Sequence, residues 1–143
     1  MSLLVPLLQL TGALLTVLGI AHVALPRVLG WTDATTFGQS PLGGLVIRMH
    51  VGFIGGFVAL LGLCTLVGAP ELAAGGRLAA LFLGASALLW LGRAVCEVVL
   101  VPRALAAQPA PKRLWRTAHL LGLLGWPGLV IVYGVAAWQA ATR

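Results

Sequence analysis

The sequence predicts an all-α protein, an integral membrane four-helix bundle made of two helical hairpins in a single domain over residues 1–143. Three observations carry this expectation. The chain is 60% hydrophobic, with a mean hydropathy of +1.05 and only 8% charged residues, where a soluble domain carries about 25% charged residues. Its apolar residues gather into four stretches, at about 3–25, 42–67, 78–101 and 114–138. Each matches the ~20 residues that a helix needs to cross a bilayer.

The first stretch lacks a basic leading region and a small-x-small cleavage site, so a retained helix is expected rather than a signal peptide. Gly12, Thr16 and Gly19 form a small-residue stripe along it, suited to close helix contact. His22 follows Gly19 by one turn, and Pro26 closes the helix by breaking its hydrogen-bond ladder. In the first loop Trp31 is an expected interfacial anchor, while Asp33 either caps a helical turn or answers an arginine. The second stretch opens with Arg48 and His50, and Gly52-x-x-x-Gly56 has the spacing that lets helix backbones approach.

A short loop from Gly68 to Arg77, with Pro70 and Glu71, leads to the third stretch, which is expected to end before Pro102. Within it lies Trp90-Leu-Gly-Arg93-Ala-Val-Cys-Glu97. Residues four apart share a helix face, so Arg93 and Glu97 are predicted to pair, with Trp90 beside Arg93. Glu97 is the only acid in the four apolar stretches. The third loop holds Arg103, Gln108, Pro109, Pro111, Lys112 and Arg113. In the fourth stretch Trp126-Pro127-Gly128 predicts a kink, because Pro127 frees the carbonyl of Leu123. Cys64 and Cys96 fall near opposite helix ends, beyond the ~7 Å reach of a disulfide, and read as small apolar core residues. No C-x-x-C is present, which argues against a thiol oxidoreductase.

The formal charge of +6 and pI near 11.2 do not point to nucleic acid. No basic run exceeds two residues, and nucleic-acid recognition needs a basic patch or stripe. In a membrane protein the excess encodes orientation. Five basic residues (Arg27, Arg103, Lys112, Arg113 and Arg116) lie on the side of loops one and three, against Arg77 and Arg143 opposite. The bias places loops one and three in the cytoplasm, with both termini on the outer side.

Depth then orders the polar residues. At ~1.5 Å per residue, His22, His50, Arg93, Glu97 and His119 all fall within roughly 4–12 Å of the same helix ends, and Arg48 joins them. Ionisable groups in a bilayer are costly and mark functional sites by default. A weak internal repeat underlies the pattern. His22-Val-Ala-Leu-Pro-Arg-Val-Leu is similar to Glu97-Val-Val-Leu-Val-Pro-Arg-Ala-Leu, and Arg48-Met-His50 to Arg116-Thr-Ala-His119. Parallel repeats of this kind relate halves by an axis along the membrane normal.

Three chemistries fit these residue types. The first is a cytoplasm-facing pocket for a small amphipathic or redox-active ligand such as a quinone, with Trp90, Trp115 and Trp126 as apolar walls. Here His50 or His119 carries the proton, Arg93 and Arg48 attract an anionic or carbonyl-bearing group, and Glu97 orients Arg93 or His22. The second uses His22, His50 and His119 to hold a haem or a transition metal. Against it, the chain has no H-x-x-H or E-x-x-H, and two arginines stand nearby. The third is a structural or assembly subunit of a homo-oligomer or membrane complex, in which the polar residues only fix helix register.

The phrases Gly19-Ile-Ala-His22-Val-Ala-Leu-Pro26-Arg27-Val-Leu-Gly-Trp31, Arg48-Met-His50 and Leu89-Trp90-Leu-Gly-Arg93-Ala-Val-Cys-Glu97 resemble a group of small bacterial four-helix membrane proteins that carries no assigned activity. More loosely, the layout resembles the DoxX-like proteins, small four-helix bundles often found beside redox systems. The resemblance implies the fold. No diagnostic DoxX motif matches residue by residue, so no site residue follows from it.

Overall fold

The computed structural model describes residues 3–25, 28, 41–106 and 113–143. Pro26, Arg27, Trp31, Asp33, Gln108, Pro109, Pro111 and Lys112, to which the sequence assigns loop, anchoring and orienting roles, lie outside the described residues. Among those described, every regular element is helical. The elements are α1 (Leu4–Ala21) with a 3-10 turn (His22–Ala24), α2 (Pro41–Val67), α3 (Ala69–Ala74), α4 (Arg77–Val99), α5 (Val101–Ala106) and α6 (Arg113–Ala141).

Four spans are long and apolar enough to cross a membrane: Leu4–Ala24, Leu42–Val67, Arg77–Ala106 and Trp115–Ala141. Large side chains such as Phe53 (75% exposed), Leu88 (69%) and Leu124 (79%) are left uncovered by the chain. In water such apolar surface marks an interaction site or an aggregation hazard; against acyl chains it costs nothing. The chain is a multi-pass, all-α membrane protein.

Two compact units divide it, Met1–Ala69 and Pro70–Arg143. In the first unit α1 packs on α2. The buried residues of α1 are Leu4, Leu8, Thr11, Gly12, Leu15 and Gly19, a stripe at helical spacing. The seam depends on glycines that admit the opposing backbone. A Cβ on Gly19 would stand 2.6 Å from the Gly55 carbonyl oxygen, and one on Gly62 would stand 2.7 Å from that of Gly12. These two pairs, each seven residues apart in its own helix, meet across the antiparallel contact. Thr16 fits between them because its Oγ1 donates to its own helix at Gly12 O, 2.8 Å away. The small-residue stripe of α1 is therefore a helix contact face, and its partners are now identified. Gly52 and Gly56 have open space where a Cβ would be, so the contact face of α2 runs through Gly55 and Gly62 instead.

In the second unit α4 packs on α6. Ala79, Leu83, Ser86, Trp90 and Glu97 are the buried residues of α4, spaced as in a heptad seam. Tyr133, Ala136 and Ala140 are buried on α6. Two buried hydroxyls turn back onto their own helices, Ser86 donating to Phe82 O and Thr65 of α2 to Leu61 O, both at 2.8 Å.

Two boundaries and one expectation of burial differ from the sequence reading. The second loop contains α3, with Glu71 in its first turn, where a negative charge suits the helix dipole. The third long helix stops at Val99 and resumes as α5, so Pro102 sits in the first turn of a new helix, where its missing N–H costs nothing. Neither Cys64 nor Cys96 is a core residue, since both are exposed free thiols. A glycine pair makes the sharp reversal into α4: Gly75 and Gly76 have φ of 93° and 100°, which other residues rarely adopt. Gly76 N–H donates to Ala140 O at 3.0 Å, and the Arg143 guanidinium donates to Ala73 O, tying that turn to the end of α6.

The seam of the first unit predicts a split between two glycines of one helix. Gly62→Leu should lower stability by ~1–3 kcal/mol, as overpacked interiors do. Gly56→Ala should be neutral or stabilising by up to about 1 kcal/mol through helix propensity. Thermal unfolding of the two variants in detergent checks both.

Candidate functional site

The predicted Arg93–Glu97 pair is present in the second unit, and it is the centre of a larger cluster. Glu97 is buried, with its side chain 4% exposed, and its two oxygens are shared among three donors. Arg93 Nη2 lies 2.7 Å from Oε2. The Trp126 Nε1–H donates to the same Oε2 at 3.1 Å. On the other side, His119 Nδ1–H donates to Oε1 at 2.7 Å. A carboxylate in an apolar environment demands this density of charge-assisted bonds, because its desolvation is otherwise uncompensated.

Local sequence explains how each group arrives. Arg93 and Glu97 are adjacent on one face of α4 through their four-residue spacing. Across the seam, Gly122 leaves the space that the carboxylate occupies. A Cβ there would stand 2.8 Å from Glu97 Cδ and 2.7 Å from Trp126 Nε1. His119 and Trp126 lie one turn to either side of Gly122 on α6, and so flank the carboxyl group. The indoles of Trp90 and Trp126 stack with centroids 5.5 Å apart and planes within 5°. The Arg93 guanidinium lies over the Trp126 ring, 4.7 Å from its centroid, within cation–π range.

Two groups in this cluster have bonding capacity left. In the neutral His119 ring the Nδ1–H is committed to Glu97, which fixes the tautomer and leaves the Nε2 lone pair open. Trp90 is 4% exposed, and its buried Nε1–H has no hydrogen-bond partner. Arg93, by contrast with Glu97, keeps its side chain 41% exposed. The cluster thus presents one oriented imidazole, one accessible cation and one unpaired indole donor.

Three other sequence-predicted residues, His22, Arg48 and His50, belong to the first unit. The His22 Nδ1–H donates to Leu18 O of its own helix at 2.9 Å, so the groups that Glu97 orients are Arg93 and His119. Arg48 and His50 lie exposed on α2. The repeat does have a structural echo. Each hairpin seats the polar residue near the end of its first long helix against a glycine of its second. A Cβ on Gly55 would stand 2.7 Å from His22 Cβ, just as one on Gly122 would meet Glu97. Among the described residues no three His, Cys, Asp or Glu side chains are grouped to hold a metal ion.

Sequence reasoning placed Trp126 only as a wall and a kink. Gly122 and His119 share its helix face at one-turn spacing, but that spacing alone does not say that the face meets Glu97. Removing the carboxylate tests the centre of the cluster. Glu97→Ala strands the His119 and Trp126 donors, at about 1–3 kcal/mol for each buried group left unpaired. Arg93→Ala should cost clearly less, because the carboxylate keeps two donors. Unfolding midpoints in detergent, read beside the near-ultraviolet circular dichroism of the Trp90–Trp126 stack, check the order.

No protein-family model matches the chain, and no curated protein sequence or solved structure matches it.

Proposed function

We propose that the second hairpin carries an intramembrane binding site for a small amphipathic molecule with an anionic or carbonyl group, and that His119 handles a proton there. The observation that carries this reading is the Glu97–His119 hydrogen bond of 2.7 Å. A carboxylate that fixes Nδ1–H is the arrangement that orients an imidazole as a general base. Arg93 is the anion anchor and Glu97 the positioning residue. The unpaired Trp90 N–H is a donor suited to a carbonyl oxygen, and the indole stack offers a flat apolar wall. A quinone combines these features: two carbonyls, a planar ring and proton-coupled reduction.

On this reading the protein resides in the bacterial inner membrane as a four-helix bundle. Loops one and three face the cytoplasm, and the Glu97 cluster sits in the cytoplasmic half.

The same Glu97–His119 bond favours a second reading. Metal-bound histidines commonly donate their other N–H to a carboxylate, so His119 Nε2 is also fit to ligate a haem iron or a transition metal. An assembly subunit, in which the cluster only locks the hairpin, is the third.

The stacked tryptophans provide a reporter. Decylubiquinone titrated into the detergent-solubilised protein should quench tryptophan emission saturably, and Trp126→Phe should remove most of that signal. His119→Ala and Arg93→Ala should each weaken binding about tenfold or more, the equivalent of one lost charge-assisted hydrogen bond, while His50→Ala leaves it within about threefold. Quenching that is unsaturable or indifferent to both substitutions refutes the quinone site. An absorption spectrum and metal analysis decide the second reading. A Soret band or near-stoichiometric iron, copper or zinc, lost in His119→Ala, would make His119 a metal ligand.

A further inference from the structure

At the opposite end of the second hairpin, a groove of about 500 Å³ opens between the start of α4 and the end of α6. Arg77 and Arg143 stand at its rim, and Ala80, Leu81, Ala140 and Ala141 line the rest. The order along the helices is significant. Ala80 and Leu81 lie one turn deeper on α4 than Arg77, and Ala140 lies one turn deeper on α6 than Arg143. The groove is therefore cationic at the helix ends and apolar toward the middle of the span.

The two arginines are not accounted for by other contacts. Arg77 makes no hydrogen bond or ion pair among the described residues. Arg143 spends one N–H on Ala73 O, which holds its guanidinium in place and leaves its other donors open. Orientation does not explain them either, because this side of the membrane carries the fewest basic residues. They are the only Lys or Arg of the second loop and the chain's last residues, yet both line one groove.

We infer that this groove binds the headgroup of an anionic phospholipid, with the phosphate between Arg77 and Arg143 and an acyl chain along Ala80, Leu81 and Ala140. Guanidinium groups pair with phosphate oxygens through forked, charge-assisted hydrogen bonds. An apolar floor continuous with the bilayer selects a lipid over a free anion.

Native mass spectrometry of the full-length protein in dodecylmaltoside tests this with three probes: dioleoylphosphatidylglycerol, dioleoylphosphatidylcholine and inorganic phosphate. Phosphatidylglycerol should bind about tenfold or more tighter than phosphatidylcholine, and Arg77→Gln should erase most of that preference. Arg103→Gln, at the other end of the hairpin, should retain it. Ala80→Trp fills the groove floor and leaves both arginines, so it should release the lipid even where Arg143→Gln loosens the turn. Equal retention of the two lipids, or retention unchanged in Arg77→Gln and Ala80→Trp, overturns the assignment. Inorganic phosphate binding that is lost in Arg77→Gln but kept in Ala80→Trp would assign the groove to a free anion and also overturn it.

Discussion

A single buried carboxylate dictates the second hairpin. Glu97 lies in a segment that is otherwise Leu, Val, Ala and Gly, and a charge there is tolerable only if its oxygens are fully engaged. Arg93 supplies one partner from the same helix at no topological cost, but it leaves Oε1 unbonded. The remaining donors come from α6, and they reach Glu97 only in one register. Moving α6 by a turn would bring His119 or Trp126 opposite the carboxyl group in place of Gly122 and close the space it fills. Polar satisfaction and packing therefore select the same alignment, which is how a chain with so little side-chain variety obtains a unique seam.

The first hairpin reaches a defined register by different means. Lipid removes the usual hydrophobic reward for helix association, so contact must come from fit. Gly12, Gly19, Gly55 and Gly62 bring the backbones of α1 and α2 within reach of each other, and the hydroxyls of Thr16 and Thr65 turn back onto their own helices. Nothing charged is needed in that seam. The contrast explains why Glu97 is tolerated only where an arginine, a histidine and an indole converge.

Legibility from sequence followed the range of the interaction. The four spans and the Arg93–Glu97 pair depend on local composition and a four-residue spacing, and both were readable. His119 and Trp126 lie 22 and 29 residues from Glu97, so their meeting depends on a hairpin register that no local pattern encodes. The Gly52-x-x-x-Gly56 spacing named no partner, for a related reason. In a chain with 19 glycines the four-residue spacing recurs by chance, whereas the seven-residue spacing shared by Gly12/Gly19 and Gly55/Gly62 was the informative match. Cys64 and Cys96 were misplaced because lipid and protein core are equally apolar, so hydrophobicity does not distinguish outward from inward in a membrane helix.

The electrical state of the cluster bears on what it can do. Arg93 and Glu97 cancel, so the site is near neutral while His119 is neutral and gains a unit of positive charge when its Nε2 takes a proton. Glu97 holds the imidazole in place through the Nδ1–H bond, and the Arg93 side chain keeps one side accessible. The cluster spends a buried charge, a histidine tautomer and an unpaired indole donor in one place, and a ligand that accepts a hydrogen bond and exchanges a proton would use all three.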